Sequence, residues 1–145
     1  AMVLDGDNTR LGINKDLSFH QKDRSENIRR VAEISKLFIE SGKIIITSFI
    51  SPFSEDREMA KQVISPADFI EVHIKCSLEE CEKRDVKGLY AKARNGEINN
   101  FTGISSPYEE PINPDITVNS EKKSIDESID YIFKRITEIK CLNID

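Results

Sequence analysis

Residues 4–10 read LDGDNTR and directly follow Val3. The apolar start of this stretch predicts the end of a short buried strand, and Gly6 has access to backbone angles that other residues avoid. Asp5 and Asp7 are therefore expected at the carboxyl edge of that strand. Ligands of open α/β sheets bind at this edge, so we expect a binding site here.

Basic side chains follow the two acids. Four arginines stand close together in the chain: Arg10, Arg24, Arg29 and Arg30. Together with the acids, they indicate a phosphorylated or sulfated ligand held beside a proton acceptor. Two simpler interpretations stay open. The acids could form a turn or cap a helix. The helix arginines, Arg29 and Arg30, could have no role beyond ion pairs with Glu26 or Glu33.

Length and composition exclude several classes of protein. The chain has 145 residues, 38% hydrophobic and 32% charged, with a formal net charge of −5. This size predicts one domain, residues 1–145. No apolar run approaches the roughly 20 residues of a membrane helix, so no membrane partner is expected. The negative charge does not suit nucleic acid, and the local basic cluster favours a small anion.

The cysteines indicate the compartment. Cys76, Cys81 and Cys141 show neither CxxC spacing nor an even count. They are typical of free thiols rather than of a disulfide framework or a zinc site, and they predict a cytoplasmic location.

The first predicted helix follows the arginine-rich stretch. Asp23 and Glu26 form a capping-box pattern, and Ser41 with Gly42 is typical of a helix end, so the helix should run to about residue 41. Its predicted buried face comprises Ile28, Val31, Ala32, Phe38 and Ile39.

A strand and a second helix come next. Lys43–Phe49 is short and β-branched, which predicts a strand buried on both faces. A helix should begin at Ser54 and end before Pro66. Its inward residues are predicted to be Met59, Ala60, Val63 and Ile64.

The second half of the chain repeats the alternation. Strands are predicted at Phe69–Ile74 and Ile116–Val118, a short helix is predicted after Ser77 with Glu80 as its capping partner, and a last helix at Ser124–Ile139. The last helix should have a capping box completed by Glu127, and its predicted buried stripe comprises Ile125, Ile129, Ile132, Phe133 and Ile136. Alternating strands and helices predict a parallel α/β sheet flanked by helices.

A long irregular stretch interrupts this second half. Residues 84–94 are basic, and residues 95–114 are rich in Gly, Asn and Pro. A loop of this length in a compact domain is usually a functional lid or a disordered segment. We predict a lid at about 84–114.

Five segments in this order resemble the adenylylsulfate kinase family, which phosphorylates the 3′-hydroxyl of adenosine 5′-phosphosulfate with MgATP. They are LDGDNTR at 4–10, LSFHQKDRSENIRR at 17–30, ITSFISPF at 46–53, IEVHIKCSLEECEKRDVKGLYAKAR at 70–94 and NNFTGISSPYEEP at 99–111. The resemblance implies a P-loop-kinase-like parallel sheet flanked by helices. Gluconate and shikimate types of P-loop kinase fit less well, because they lack the pairing of KGLY with NFTGI.

The resemblance assigns the adenylylsulfate site to ten positions: Asp7, Asn8, Arg10, Phe19, Arg24, Asn27, Ile50, Ser51, Lys87 and Phe101. The two arginines would hold sulfate and phosphate oxygens through forked guanidinium donors, and the two phenylalanines would sandwich the adenine. Asn27 would hydrogen-bond either an edge of the ligand or a phosphate oxygen. Lys87 would reach in from the lid.

The resemblance also implies catalytic roles. Asp7 would orient or deprotonate the 3′-hydroxyl, and Asp5 would help to place Mg²⁺ through water. Ser51 stands where some family members carry a phosphate, although it could simply precede a helix. A homodimer is implied as well, and a sulfate adenylyltransferase could be fused or associated.

One element of the family is not found in the sequence. A Walker A loop, G-x-x-x-x-G-K-[ST], cradles the phosphates of ATP, but none of the six glycines here is followed by Lys-Ser or Lys-Thr. The sequence is thus expected to lack the first strand, the Walker A loop and the first helix of the family. The missing strand is the one at the centre of the family's sheet. Positioning and charge neutralisation supply most of the catalysis in phosphoryl transfer, so slow turnover by these residues alone is expected. The alternative function is a fragment or binding module that retains only the adenylylsulfate site.

Overall fold

The computed structural model describes residues 1–140, and Cys141 lies outside them. The described chain divides into two compact units. Unit 1 comprises Ala1–Phe69 with Ser106–Glu110, and unit 2 comprises Ile70–Ser105 with the chain from Pro111 onward. A single kinase domain over 1–145 stays a prediction.

Unit 1 contains two strands and three helices: β1 Met2–Asp5, α1 Gly6–Leu11, α2 Gln21–Glu40, β2 Ile45–Ser48 and α3 Ser54–Ile64. The strands pair in parallel, with Met2 opposite Ile45 and Asp5 opposite Ser48. The core lies between α2 and α3, where Ile28 and Ala32 pack with Ala60. Burial of a side chain the size of isoleucine stabilises the fold by roughly 1.5–3 kcal/mol.

Several predictions for unit 1 are confirmed. Helix α3 begins at Ser54, ends before Pro66 and turns its predicted residues toward the core. Helix α2 ends before Gly42, whose φ of +78° is the left-handed conformation that glycine tolerates best.

Two other predictions for unit 1 are wrong. Strand β2 is not buried on both faces: none of its residues is buried, and Ile46 is 53% exposed. Its sheet has only two strands among residues 1–140, which leaves much of β2 uncovered. Gly6 does not adopt a left-handed φ, because it is the first residue of α1.

The predicted capping box at Asp23 and Glu26 is also wrong. Helix α2 begins at Gln21, and the Asp23 carboxylate reaches back to accept hydrogen bonds from the Ser18 backbone N (3.0 Å) and from its hydroxyl. Glu26 instead pairs with Arg29 and Arg30 on the next turn. The interpretation that helix arginines pair with Glu26 or Glu33 is thus confirmed for Arg29, whereas Arg30 also pairs with Asp16, which lies outside the helix.

Unit 2 also contains two strands and three helices among the described residues: β3 Val72–Lys75, α4 Leu78–Arg84, α5 Leu89–Arg94, β4 Ile116–Asn119 and α6 Ile125–Lys140. The strands again pair in parallel, with Val72 opposite Ile116. Ser77 caps α4 by accepting a hydrogen bond from Glu80 N, as predicted. The reciprocal half of the predicted box does not form, because Ser77 N donates to Glu121 and the Glu80 carboxylate pairs with Arg84. The six-residue helix α5 was not predicted.

Helix α6 has the predicted cap but not the predicted burial. Ser124 N donates to Glu127 Oε2 (2.7 Å), and Glu127 N donates to Ser124 Oγ (3.2 Å), which is a reciprocal capping box. None of the described residues of α6 is buried, however, and Ile125 is 79% exposed. The predicted buried stripe is wrong, because β4 covers only part of this helix. Among residues 1–140, no helix combines the length and apolar character that crossing a bilayer requires.

Candidate nucleotide site

The acidic pair lies where the sequence predicts it, at the carboxyl end of β1. Asp5 is the last residue of the strand and the N-cap of α1, and its two carboxylate oxygens accept hydrogen bonds from Asn8 N (2.9 Å) and Asn8 Nδ2 (2.6 Å). Asp7 and Asn8 are exposed in the first turn of α1. The structure therefore gives Asp5 a local structural role and leaves the Asp7 side chain at the surface of the same turn.

Two of the arginines meet at one aromatic ring. The guanidinium carbon of Arg10 lies 4.3 Å from the centre of the Phe19 ring, and that of Arg24 lies 5.8 Å from it. Arg10 Nη1 donates to the backbone oxygens of Leu17 and Ser18, both at 3.0 Å, and Arg24 Nε donates to Phe19 O at 2.9 Å. Three of the ten positions are thus brought together by backbone hydrogen bonds.

This arrangement concentrates positive charge. Partial burial lowers the pKa of Arg10, although the nearby Asp23 carboxylate acts in the opposite direction. Partial burial also lowers the pKa of Arg24, and the charge of Arg10 lowers it further. The charge of Arg10 disfavours that of Arg24, and an anion with more than one oxygen would stabilise both guanidinium groups.

Asn27 is held by a residue that the sequence analysis did not single out. It lies in α2 and is buried, and its Oδ1 accepts a hydrogen bond of 3.0 Å from Nδ2 of Asn14, which is also buried. A hydrogen bond across 13 positions leaves no local pattern in the sequence, so it could not have been predicted from spacing.

The loop after β2 has a strained backbone. Ser51 has a φ of +42°, in the left-handed region that a serine seldom occupies, and its backbone oxygen accepts a hydrogen bond of 2.8 Å from Arg57 Nη1. Non-glycine residues in this conformation cluster at functional sites. Its neighbour Ile50 is exposed.

The remaining two positions belong to unit 2. Phe101 is half-buried and meets Tyr90 edge-on, with the ring centres 4.9 Å apart and the planes at 75°. Its backbone N donates to Ser105 Oγ at 3.0 Å. Lys87 is exposed in the turn between α4 and α5. The lid at about 84–114 stays a prediction.

The described residues offer no assembled metal site. Among residues 1–140 there is no group of three or more His, Cys, Asp or Glu side chains that could hold a metal ion. Both oxygens of Asp5 already accept hydrogen bonds from Asn8, which does not fit direct coordination of Mg²⁺ by this carboxylate. A contact through water stays a prediction.

Comparison with known proteins decides the family. The model of the family described as adenylylsulphate kinase matches residues 1–119. The chain belongs to this family. It is 54% identical over 136 residues to a probable adenylyl-sulfate kinase of Bacillus subtilis (strain 168), covering 94% of this chain and 68% of the relative. It is also 54% identical over 135 residues to an adenylyl-sulfate kinase of Staphylococcus epidermidis, covering 93% and 68%.

A solved member of the family has the same fold. The APS kinase of Mycobacterium tuberculosis, determined in complex with AMPPNP and APS, superimposes with a TM-score of 0.90 at 46% identity. The match covers 94% of this chain and 79% of that one. The predicted P-loop-kinase-like α/β fold class, with parallel strands flanked by helices, is confirmed, as is membership in a family of phosphotransferases.

Proposed function

We propose that the segment from β1 to the start of α2 binds the phosphosulfate group of adenylylsulfate, in an enzyme that phosphorylates its 3′-hydroxyl with ATP. The observation that carries this proposal is the meeting of Arg10 and Arg24 at Phe19. The fork of each guanidinium suits the oxygens of a phosphate or sulfate. The exposed ring beside them offers a surface on which an adenine can stack.

Asp7 is assigned to the acceptor hydroxyl. Asp7 lies in the first turn of α1, just after the end of β1 and three positions before Arg10, which supports this assignment. There it accepts the proton of the 3′-hydroxyl as the hydroxyl oxygen attacks the γ-phosphorus of ATP and ADP departs. Asp5 supports Asp7 indirectly, because it caps the helix that carries it.

The other family positions complete the proposal. Asn27 would contact the ligand from α2, and Asn8 would contact it from α1. Lys87 and Phe101 would act from the segment at 84–114. The loop after β2 would contribute Ile50 and Ser51. The strained backbone of Ser51 supports a functional role for that loop. Phosphorylation of Ser51 belongs to the same set of proposals.

The donor and the assembly are also proposals. ATP with Mg²⁺ is the phosphoryl donor, and no residue of this chain is assigned to ATP because the 145 residues contain no Walker A motif. A homodimer, a fused or associated sulfate adenylyltransferase and a cytoplasmic location follow from the family resemblance and from the cysteine pattern. An acceptor site that binds adenylylsulfate without turnover is the second candidate function, and the missing motif favours it for these residues tested alone.

Calorimetric titration with adenylylsulfate tests the acceptor site. Arg24→Ala should weaken binding by about 10- to 100-fold, because it removes hydrogen bonds to a charged ligand. Arg29→Ala is the matched control, since Arg29 lies on the same helix but pairs with Glu26 and Glu33. It should bind like the parent chain. Equal losses in the two variants, or no binding by the parent chain, would contradict the proposal.

A further inference from the structure

Asn14 is a fully buried polar residue with an unusual set of contacts. Its residue exposure is 0%, and its side-chain Oδ1 has no hydrogen-bond partner within residues 1–140. A buried acceptor without a partner costs free energy, which an apolar side chain at the same place would avoid. The other end of the amide is engaged, because Nδ2 donates to Asn27 Oδ1.

The backbone around Asn14 is firmly held. Asn14 N donates to Thr9 O at 2.8 Å, and Asn14 O accepts from Leu17 N at 3.1 Å. Thr9 is itself buried in α1, and its Oγ1 donates to Asp5 O at 2.9 Å. Asn14 is therefore fixed to α1, the helix that carries Asp7, and its side chain reaches from there to α2.

The hydrogen bond between the two amides determines which atoms of Asn27 remain for a ligand. Asn27 Oδ1 already accepts one of the two hydrogen bonds that an amide oxygen can take, and this bond turns the Nδ2 end of the amide, with its two N–H donors, away from Asn14 and toward any other partner. We infer that Asn14 is a positioning residue, which orients the Asn27 amide so that it donates to an oxygen of the phosphosulfate rather than accepting from the adenine amino group. This inference rests on the proposed function and makes it more specific.

Arg10 and Arg24 agree with this assignment. Arg24 lies three positions before Asn27, about one turn earlier in α2, and both arginines gather at Phe19. A neutral donor beside two guanidinium groups adds a hydrogen bond to the anion without adding more positive charge. An amide carbonyl at that place would instead repel the ligand oxygens.

Three ligands separate the two orientations. Adenylylsulfate and AMP carry the anionic oxygens, whereas adenosine carries only the ring and ribose. In Asn14→Ala, the affinities for adenylylsulfate and AMP should fall about tenfold, as expected for loss of one hydrogen bond to a charged group, and the affinity for adenosine should stay within about twofold. Calorimetry for adenylylsulfate and NMR titration for the two weaker ligands would measure these changes.

Ser35→Ala is the matched control. Ser35 is also buried on α2, and its Oγ has no hydrogen-bond partner within the described chain. Its replacement therefore changes a buried polar position that is not hydrogen-bonded to Asn14 or Asn27. It should leave all three affinities unchanged. Thermal unfolding of each variant would show whether it folds. If Asn14→Ala does not fold, Asn14→Leu carries the same test, because leucine fills a similar volume but cannot donate to Asn27 Oδ1.

A double-mutant cycle completes the test. If Asn14 acts through Asn27, the variant lacking both amides should bind adenylylsulfate no more weakly than Asn27→Ala. Additive losses, an unchanged affinity in Asn14→Ala, or an equal loss for adenosine would overturn the inference. Failure of the parent chain to bind adenylylsulfate, or binding that does not need Arg24, would overturn the proposed function and this inference together.

Discussion

Helices α2 and α6 carry similar apolar stripes but differ in burial. In α2 the stripe residues Ile28, Val31 and Ala32 are buried, and the helix packs against α3. In α6 none of the described residues is buried, and Phe133 is 56% exposed. Helical spacing thus predicts which face of a helix is apolar, but only a packed neighbour buries that face.

The largest expected effect is on the free energy of unfolding, which should depend on the packing of α2 but hardly on that of α6. Ile28→Ala should lower the free energy of unfolding by about 2–4 kcal/mol, because it leaves a cavity against α3. Phe133→Ala should cost less than about 1 kcal/mol, since its side chain is already half in solvent. Urea unfolding followed by circular dichroism would measure both. Similar losses would show that α6 has a packed partner under these conditions.

A smaller effect is expected at the start of α6. With so little packing, this helix should depend on its capping box, and Ser124→Ala should cost about 1 kcal/mol because Glu127 N loses its acceptor. Ser128→Ala, inside the same helix, is the matched control and should be neutral or slightly stabilising, because alanine has the higher helix propensity. Thermal melts of the two variants that shift in the same direction would argue against this account.

The smallest effect concerns the exposed face of α2. Hydrogen bonds from Arg29 and then from Arg30 lower the pKa of Glu26 from 4.5 to about 2. The folded form therefore favours the ionised carboxylate, and this stabilisation is present above about pH 4.5 and is lost as the pH falls toward about 2. The difference in unfolding free energy between the parent chain and Glu26→Gln should shrink over this window.

NMR titration of the Glu26 carboxyl group checks the cause. Replacing both arginines with alanine should return its pKa toward 4.5. An unchanged low pKa in that variant would mean that another interaction is responsible.

Local signals in the sequence predicted elements whose stabilising contacts are also local. The hydroxyls of Ser77 and Ser124 each cap a helix by accepting from the backbone N three residues later, as predicted, although the reciprocal bond of the capping box forms only at Ser124. The capping box at Asp23 failed because Ser18, on the other side of the helix start, binds the same carboxylate. The exposure of β2 could not be read from its β-branched residues, since burial of a strand depends on what lies beside it.

The candidate site divides in the same way. The resemblance to the family assigned Arg10, Phe19 and Arg24 to the site. The structure brings these three residues together. It did not name Asn14, whose contact with Asn27 joins a loop to a helix. Tertiary packing brings the two buried amides together. In the sequence, each asparagine therefore looks like any other polar residue.

The one-sided pairing of β2 has a practical consequence for solubility. Among residues 1–140 this strand pairs with β1 only, and Ile46 within it and Ile44 just before it are exposed. A strand edge with unpaired backbone groups and exposed isoleucines can pair with a strand of another molecule. Concentrated solutions of the chain should therefore be prone to turbidity, and a lysine in place of Ile46 would be the first substitution to try against it.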